Sequence, residues 1–323
     1  MLCVNNLYTD PYFNMAMEEY FLKNFTENVF ILWRNEPAII VGKHQNSLAE
    51  INLDFVKEKG IKVVRRLSGG GAVFHDLGNI NFTFIENGSK PDFQKFTQPI
   101  LDVLINLGID ACFEGRNDLT IGGRKFSGNA IAVWKNRTLE HGTLLFSSEM
   151  ADLSEALKVN PLKFEDKSVK STRSRVTNIS EHLRQDITVT QFLDKVMTHV
   201  MSLYPDSYLY EYIQKDLHEI ERLRDAKYST WEWNFGSSPN YSFSKMVRTS
   251  GGNVEFHIQI EKGMIEQIRI FGDFFANKDI KELEDLLRNS KHNISDIRDK
   301  LLNIELNDYI AGAKAGELLA GMF

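Results

Sequence analysis

Two glycine-rich segments hold the residue types that chemistry on an anion would need. The first runs Arg65-Arg66-Leu67-Ser68-Gly69-Gly70-Gly71-Ala72-Val73-Phe74-His75-Asp76-Leu77-Gly78-Asn79. Three consecutive glycines between strand-like runs let backbone N–H groups approach a ligand closely, as a phosphate requires. Arg65 and Arg66 add fixed positive charge just upstream. The same triplet also suits a plain strand connection, and by itself it does not decide between the two. The dinucleotide fingerprint G-x-G-x-x-G fails at Phe74, and G-x-x-x-x-G-K-[ST] is absent. A phosphate site here belongs to some other fold.

The second segment is Gly115-Arg116-Asn117-Asp118-Leu119-Thr120-Ile121-Gly122-Gly123-Arg124-Lys125-Phe126-Ser127-Gly128-Asn129. A two-residue Gly-Gly loop suits a primed hairpin turn. With the turn at Gly122-Gly123, Ile121 faces Arg124, Thr120 faces Lys125 and Asp118 faces Ser127. Alternation then puts Asp118, Thr120, Lys125 and Ser127 on one polar face. A lysine flanked by an acid and two hydroxyls can hold an anion; it is equally the pattern of a solvated sheet face.

Other chemistry has weaker support. Cys112 reads as a buried strand thiol, no G-x-S-x-G elbow occurs, and Ser242-Phe243-Ser244-Lys245 is too short a match to weigh. The eight histidines form no helical metal pair, and His75 and His141 stand out only by their glycine-rich surroundings. The densest basic run, Lys167–Arg175, reads either as a solvated loop or as a lid bringing cations to a phosphate.

The elements that position these residues follow from pattern. Thr9 or Asp10 caps a first helix with Pro11 in its first turn. Val29–Trp33, Ala38–Val41, Ile61–Val64, Ala72–Phe74 and Ile80–Ile85 read as strands, and 93–107 as a helix. Polar residues 151–184 read as a mobile loop followed by a short helix, and helices are expected at about 189–203 and 208–227. Two strand-like runs, Asn253–Ile260 and Met264–Phe271, then lead into helical patterns. A boundary near 245 gives a large domain of strands mixed with helices, 1–245, and a small C-terminal domain, 246–323.

Composition narrows the class. The chain has 323 residues, 42% hydrophobic and 25% charged, ample for a large core. Its net charge of −6 argues against a dedicated nucleic-acid-binding protein. Two cysteines cannot make a disulfide framework, the N-terminus has no signal-peptide pattern, and no apolar run can cross a bilayer. These features point to the cytoplasm, with no membrane partner.

Taken together, the segments resemble the lipoate–protein ligase A family. RRLSGGGAVFHDLGN is similar to its adenylate-binding signature and GRNDLTIGGRKFSGNA to the segment carrying its essential lysine; HGTLLF (141–146), SRVTNI (174–179) and WNFGSSPNY (233–241) also match in order. The resemblance runs from residue 10 into the C-terminal domain. It implies an α+β fold: a biotin/lipoate ligase-like catalytic domain of mixed and antiparallel sheets with helices, plus a small α+β accessory domain.

The resemblance also implies a reaction. Lipoate, (R)-configured, and MgATP form lipoyl-adenylate, and a lysine of a lipoyl carrier domain then takes the acyl group and releases AMP. The carriers implied are the glycine-cleavage H protein or the acyltransferase subunits of 2-oxoacid dehydrogenases, served by a monomer. By similarity Lys125 holds both the carboxyl and the α-phosphate. Arg66, the Gly71, Ala72, Val73 and Phe74 backbone, Asn79 and Asp118 meet the nucleotide or its Mg²⁺. Gly70, Gly71, His75, Ser127, Gly128 and His141 meet lipoate with Lys125, as does the strand around Ile39–Val41 with Gly42–Asn46. Lys170, Arg173 and Arg175 belong to a mobile adenylate-binding loop. Ile131 departs from the relatives and could alter acyl preference, whereas His44 occupies a variable position. The alternatives are an ATP-independent octanoyl or lipoyl transferase working through Cys112, and a non-catalytic carrier-binding module.

Overall fold

The computed structural model describes residues 1–45, 47, 51–88, 92–149, 155–156, 176–234, 243–261, 264–292 and 294–323. The chain begins with β1 (Leu2–Asn5) and α1 (Pro11–Asn24). The Asp10 carboxylate accepts from the Tyr12 N–H and Pro11 occupies the first turn, as the sequence implies. Then follow β2 (Val29–Trp33), β3 (Ala38–Val41), α2 (Leu53–Lys59), β4 (Lys62–Arg65), β5 (Val73–His75) and β6 (Asn79–Asn87). After α3 (Phe93–Asn106) come β7 (Ala111–Glu114), β8 (Asp118–Ile121), β9 (Arg124–Trp134) and β10 (Arg137–Leu145). The larger part closes with α4 (Val189–Leu203), β11 (Tyr208–Leu209), α5 (Gln214–Leu223) and α6 (Trp231–Asn234).

An eight-stranded sheet, β11-β1-β2-β6-β10-β9-β8-β7, forms the frame, and a small sheet, β4-β3-β5, lies beside it. One face of the large sheet packs on α3 and α4 through Phe82, Phe84, Phe96 and Phe192. The other packs on α1 and on Ile40 and Val64 of the small sheet. Covered on both faces, β2 is wholly apolar (VFILW) and wholly buried. The small sheet turns its other side, with Ile39, Val41 and Phe74, onto Phe55 and Val56.

Residues 208–227 are not one helix. Tyr208 and Tyr210 donate backbone N–H groups to the Met1 and Cys3 carbonyls, adding β11 to the sheet edge. The helix starts at Gln214 because Asp216 accepts from the Ile213 N–H and from the Tyr20 and Tyr210 hydroxyls, which fixes its N-terminus. The C-terminal unit is also richer than its two expected strands. It has β12 (Phe243–Thr249), β13 (Gly252–Glu261) and β14 (Met264–Gly272) in one antiparallel sheet, backed by α7 (Ile280–Leu287), α8 (Ile294–Leu302) and α9 (Ala315–Met322). β12 straddles the boundary expected near 245, and we place the division before residue 243. No helix among the described residues is long and apolar enough to cross a membrane.

One core residue makes a stability prediction. Glu140 on β10 pairs with Phe84 and Ile131 on the α3 and α4 side of the sheet. It is fully buried, and neither carboxyl oxygen has a partner among the described residues. Burial, reinforced by Asp92 and Glu86, pushes its pKa up to about 10. The folded chain then keeps a proton that the unfolded chain releases above about 4.5. Stability contributed by this site therefore falls as pH rises from that value toward 10. Glu140→Gln should raise the melting temperature by several degrees at pH 8 and by little at pH 5. A calorimetric gain equal at both pH values would contradict the assignment.

Candidate active site

The glycine loop is built around Arg66. Its buried guanidinium donates from Nε to Ser68 Oγ (3.0 Å) and from Nη1 to the Ile40 carbonyl (3.1 Å); Nη2 reaches the Gly69 and Gly71 carbonyls (2.6 and 2.9 Å). Burial lowers its pKa to about 10, with Glu18 opposing the shift, so it stays charged at neutral pH. Gly70 has φ +92°, a left-handed conformation that favours glycine. The four donations leave one Nη1 proton for a ligand.

Lys125 is positioned by the β8–β9 hairpin, which turns at Gly122 (φ +55°) and Gly123 (φ +73°). The expected register holds only near the turn. Thr120 faces Lys125 and Ile121 faces Arg124, but a bulge then makes Asp118 face Gly128 and Leu119 face Ser127. Phe126 is the extra residue, and it is buried in the core with Leu119 and Ile121. Lys125 Nζ lies 2.7 Å from Asp118 Oδ1. A Cβ at position 128 would meet that Nζ at 2.8 Å, so Gly128 makes room for the lysine. Val176 lies beside Lys125 in a short parallel bridge.

A polar network runs behind this end. Ser68 Oγ is 2.6 Å from His141 Nε2, and His141 Nδ1 is 2.9 and 3.0 Å from the two Glu18 carboxylate oxygens. Glu18 also accepts from Thr83 Oγ1, which in turn accepts from Trp33 Nε1. The glycine loop, β10, α1, β6 and β2 are thus tied through five side chains.

Between the two sheets is a cavity of about 170 Å³, room for several water molecules at about 30 Å³ each. Of the residues expected at the site, Arg66, Gly70, Gly71, Ala72, Val73, His75, Lys125, Gly128 and His141 line it. Phe74 does not; by alternation its side chain joins Ile39 and Val41 on the far face of the small sheet, leaving Ile40 toward the cavity. Asn79 lies one step back, donating from Nδ2 to Asn81 Oδ1 (2.9 Å), and it is Asn81 that lines the cavity. Asp118 reaches the site through Lys125, and Ser127 accepts from Asn129 Nδ2 without lining it. Asn46, Lys170, Arg173, Arg175 and residues 235–241 lie outside the described residues.

Three sequence expectations change. Ile131 pairs with Glu140 on the face away from the cavity, which removes the basis for an effect on acyl preference. Cys112 is exposed, because β7 is the sheet's edge; its Sγ lies 3.4 Å from Thr120 Oγ1 and it is not a lining residue. His44 is buried and stacked on Phe274 of the C-terminal unit, centroids 4.8 Å apart. Phe275 lies under the Arg116 guanidinium at 4.3 Å, and Arg116 Nη1 donates to the Gly251 carbonyl. The Gly70 N–H also donates to the Phe274 carbonyl, so the C-terminal unit abuts both glycine-rich segments.

The sequence reading missed Met15, Trp33, Asn81, Asn117, Asn129, Ala130, Gly142 and Thr143 in the lining. Cross-strand register explains several of them. Trp33 pairs with Asn81 and Asn81 with Thr143, while Thr143 Oγ1 accepts from the Gly128 N–H. Polar residues within otherwise apolar strands were the available signal.

Comparison with known proteins finds similarity along nearly the whole chain. Residues 10–201 match the lipoyl protein ligase A/B catalytic domain, and residues 238–321 match the bacterial lipoate protein ligase C-terminus. The chain is 41% identical to lipoate–protein ligase 1 of Staphylococcus aureus, over 98% of this chain and 97% of that protein. It is also 41% identical to a lipoate–protein ligase of Bacillus subtilis, over 99% of both. Plasmodium falciparum LipL1, solved in complex with lipoate, superposes with a TM-score of 0.83 at 28% identity, covering 99% of this chain and 98% of its own. A lipoate–protein ligase A bound with ATP gives 0.63 at 27% identity, covering 73% and 99%. The bipartite lipoate protein ligase of Thermoplasma acidophilum, described with its E2 lipoyl domain, gives 0.62 at 29%, covering 75% and 98%.

Proposed function

The chain belongs to the lipoyl protein ligase A/B family, and from that premise we propose that it attaches lipoate to protein lysines at the expense of ATP. In the first step the lipoate carboxylate attacks the α-phosphate, pyrophosphate leaves, and lipoyl-adenylate forms. In the second, the amine of an acceptor lysine attacks the acyl carbonyl, an amide forms and AMP leaves. The observation that carries this reading is the cavity's mixed lining, in which the cations Lys125 and Arg66 and the glycine loop meet the apolar side chains of Trp33, Met15 and Ile40. An amphiphilic acid fits such a slot with its carboxylate at the cations.

Lys125 bridges the carboxylate and the α-phosphate, two anions that otherwise repel. Arg66 and the loop backbone from Gly71 to Phe74 receive the nucleotide; Asn79 acts through Asn81, and Asp118 holds Lys125 in place. Gly70, Gly71, His75, Gly128 and His141 receive lipoate, with Ser127 supporting the strand behind them. The segment carrying Lys170, Arg173 and Arg175 closes over the adenylate and keeps water from it. Among the described residues no cluster of three or more His, Cys, Asp or Glu could hold a metal. Mg²⁺ would enter as the companion of ATP, Asp118 would be the residue that helps hold it, and it would neutralise phosphate charge.

The acceptor is a lipoyl carrier domain: the glycine-cleavage H protein or the acyltransferase subunits of 2-oxoacid dehydrogenases. The chain acts as a cytoplasmic monomer. With a net charge of −6, docking relies on local patches rather than overall attraction. The position of Cys112, outside the cavity lining, disfavours a thioester acyltransferase. The reading is tested by incubating the chain with ATP, lipoate and an isolated lipoyl domain and reading the acceptor lysine by mass spectrometry. Modification requiring all three is expected. Modification without ATP, from an acylated carrier as donor, would favour the acyltransferase instead.

A further inference from the structure

The cavity crosses the large sheet, and its two ends differ. The row Trp33, Asn81, Thr143 and Gly128 spans four neighbouring strands, three spacings or about 14 Å. Lys125 packs on Gly128 at one end. At the other, the His75 ring lies 6.1 Å from the Trp33 ring, edge-on. A carboxylate at Lys125 therefore puts the far end of an extended eight-carbon acid beside His75.

The tautomer of His75 is fixed by a relay of asparagines. Asn14 Nδ2 faces the Tyr8 and Arg34 backbone carbonyls (2.9 and 3.0 Å), which only accept, so this atom is the amide nitrogen. Its third neighbour at 2.8 Å is then the oxygen of Asn35. The Asn35 nitrogen must face His75 Nδ1, at 3.0 Å, and Nδ1 must accept. The ring proton sits on Nε2, which is buried and has no partner among the described residues. His75 lines the cavity. Burial, with Arg66 and His141 adding to it, lowers the His75 pKa to about 3, so the ring stays neutral at physiological pH.

We propose that His75 is a specificity-determining residue: its Nε2–H donates to a sulfur of the dithiolane ring and favours lipoate over octanoate. This rests on the reading of the chain as a lipoate-activating enzyme. Octanoate fills the same slot but offers no acceptor at its far end, leaving a buried N–H unpaired. Asn14 and Asn35 are positioning residues that hold the donor.

The test measures kcat/KM for lipoate and for octanoate by ATP–pyrophosphate exchange in the wild type, His75→Phe and His75→Gln. The lipoate-to-octanoate ratio should fall about three- to ten-fold in His75→Phe. Glutamine, whose amide nitrogen can stand near the Nε2 position, should restore part of it. A ratio unchanged in an active His75→Phe overturns the proposal, whereas exchange with neither acid in the wild type overturns the reading beneath it. If His75→Phe does not fold, ¹⁵N NMR of the wild type decides. The Nε2–H tautomer from pH 6 to 8, with its proton shifted downfield by lipoate and not by octanoate, supports the assignment. An Nδ1–H tautomer or an imidazolium overturns it.

Discussion

Replacing Lys125 with alanine should lower lipoate-dependent adenylation by about 10³-fold or more while the protein stays folded. The activity loss follows from what the first step requires. A carboxylate must approach a phosphate in a partly enclosed cavity, and only a cation between them offsets the repulsion. Lys125 sits where β9 enters that cavity, with Asp118 at 2.7 Å and Gly128 clearing space for its Nζ. The stability effect is small because both partners of that pair are roughly 40% exposed, and exposed pairs contribute at most about 1 kcal/mol. Pyrophosphate exchange and thermal denaturation on one preparation check both halves. Near-normal exchange in the variant would remove Lys125 from the reacting centre.

The largest stability effect belongs to Arg65, one residue before the cavity's own arginine. Its guanidinium donates to the Trp233, Gly42, Lys43, Gln45 and Asn234 carbonyls and to Ser47 Oγ. The backbone reinforces the joint, for the Arg65 N–H donates to Asn234 Oδ1 and Trp233 Nε1 donates to the Arg65 carbonyl. Burial, with Arg269 nearby, lowers its pKa to about 10, yet it remains charged at pH 7. Arg65→Ala strands buried carbonyls in α6 and the loop after β3. A loss of roughly 3–5 kcal/mol is expected, or a fall in melting temperature of about 10 °C. Lysine should recover little, since it lacks the planar fork. A melting temperature within about 2 °C of wild type would show that these bonds are replaceable.

Much of the frame was legible in the sequence, and the reasons are local. Asp10-Pro11 marks a helix start because a cap and a fixed φ act on neighbouring residues. Gly122-Gly123 marks a hairpin for a similar reason. Arg66, the glycine triplet and Lys125 stand out because few structural needs explain a cation beside glycines. What was not legible depends on pairing at a distance. The bulge at Phe126 exists because a large ring goes to the core at the cost of register, and no short pattern announces that. Tyr208 and Leu209 form a strand only because β1 offers an open edge. Cys112 is exposed because β7 ends the sheet, and Ile131 faces away because β10 places His141, not Glu140, toward the cavity. His44 looks incidental in a loop and gains its role from Phe274, 230 residues later in the chain.

The most direct test of the central claim is pyrophosphate exchange into ATP by the purified chain, with lipoate present and absent. Exchange that requires lipoate, and that Lys125→Ala abolishes, is the predicted result. A folded protein that exchanges nothing, yet acylates a lipoyl domain from an acylated carrier, would contradict adenylation and move the chemistry away from Lys125.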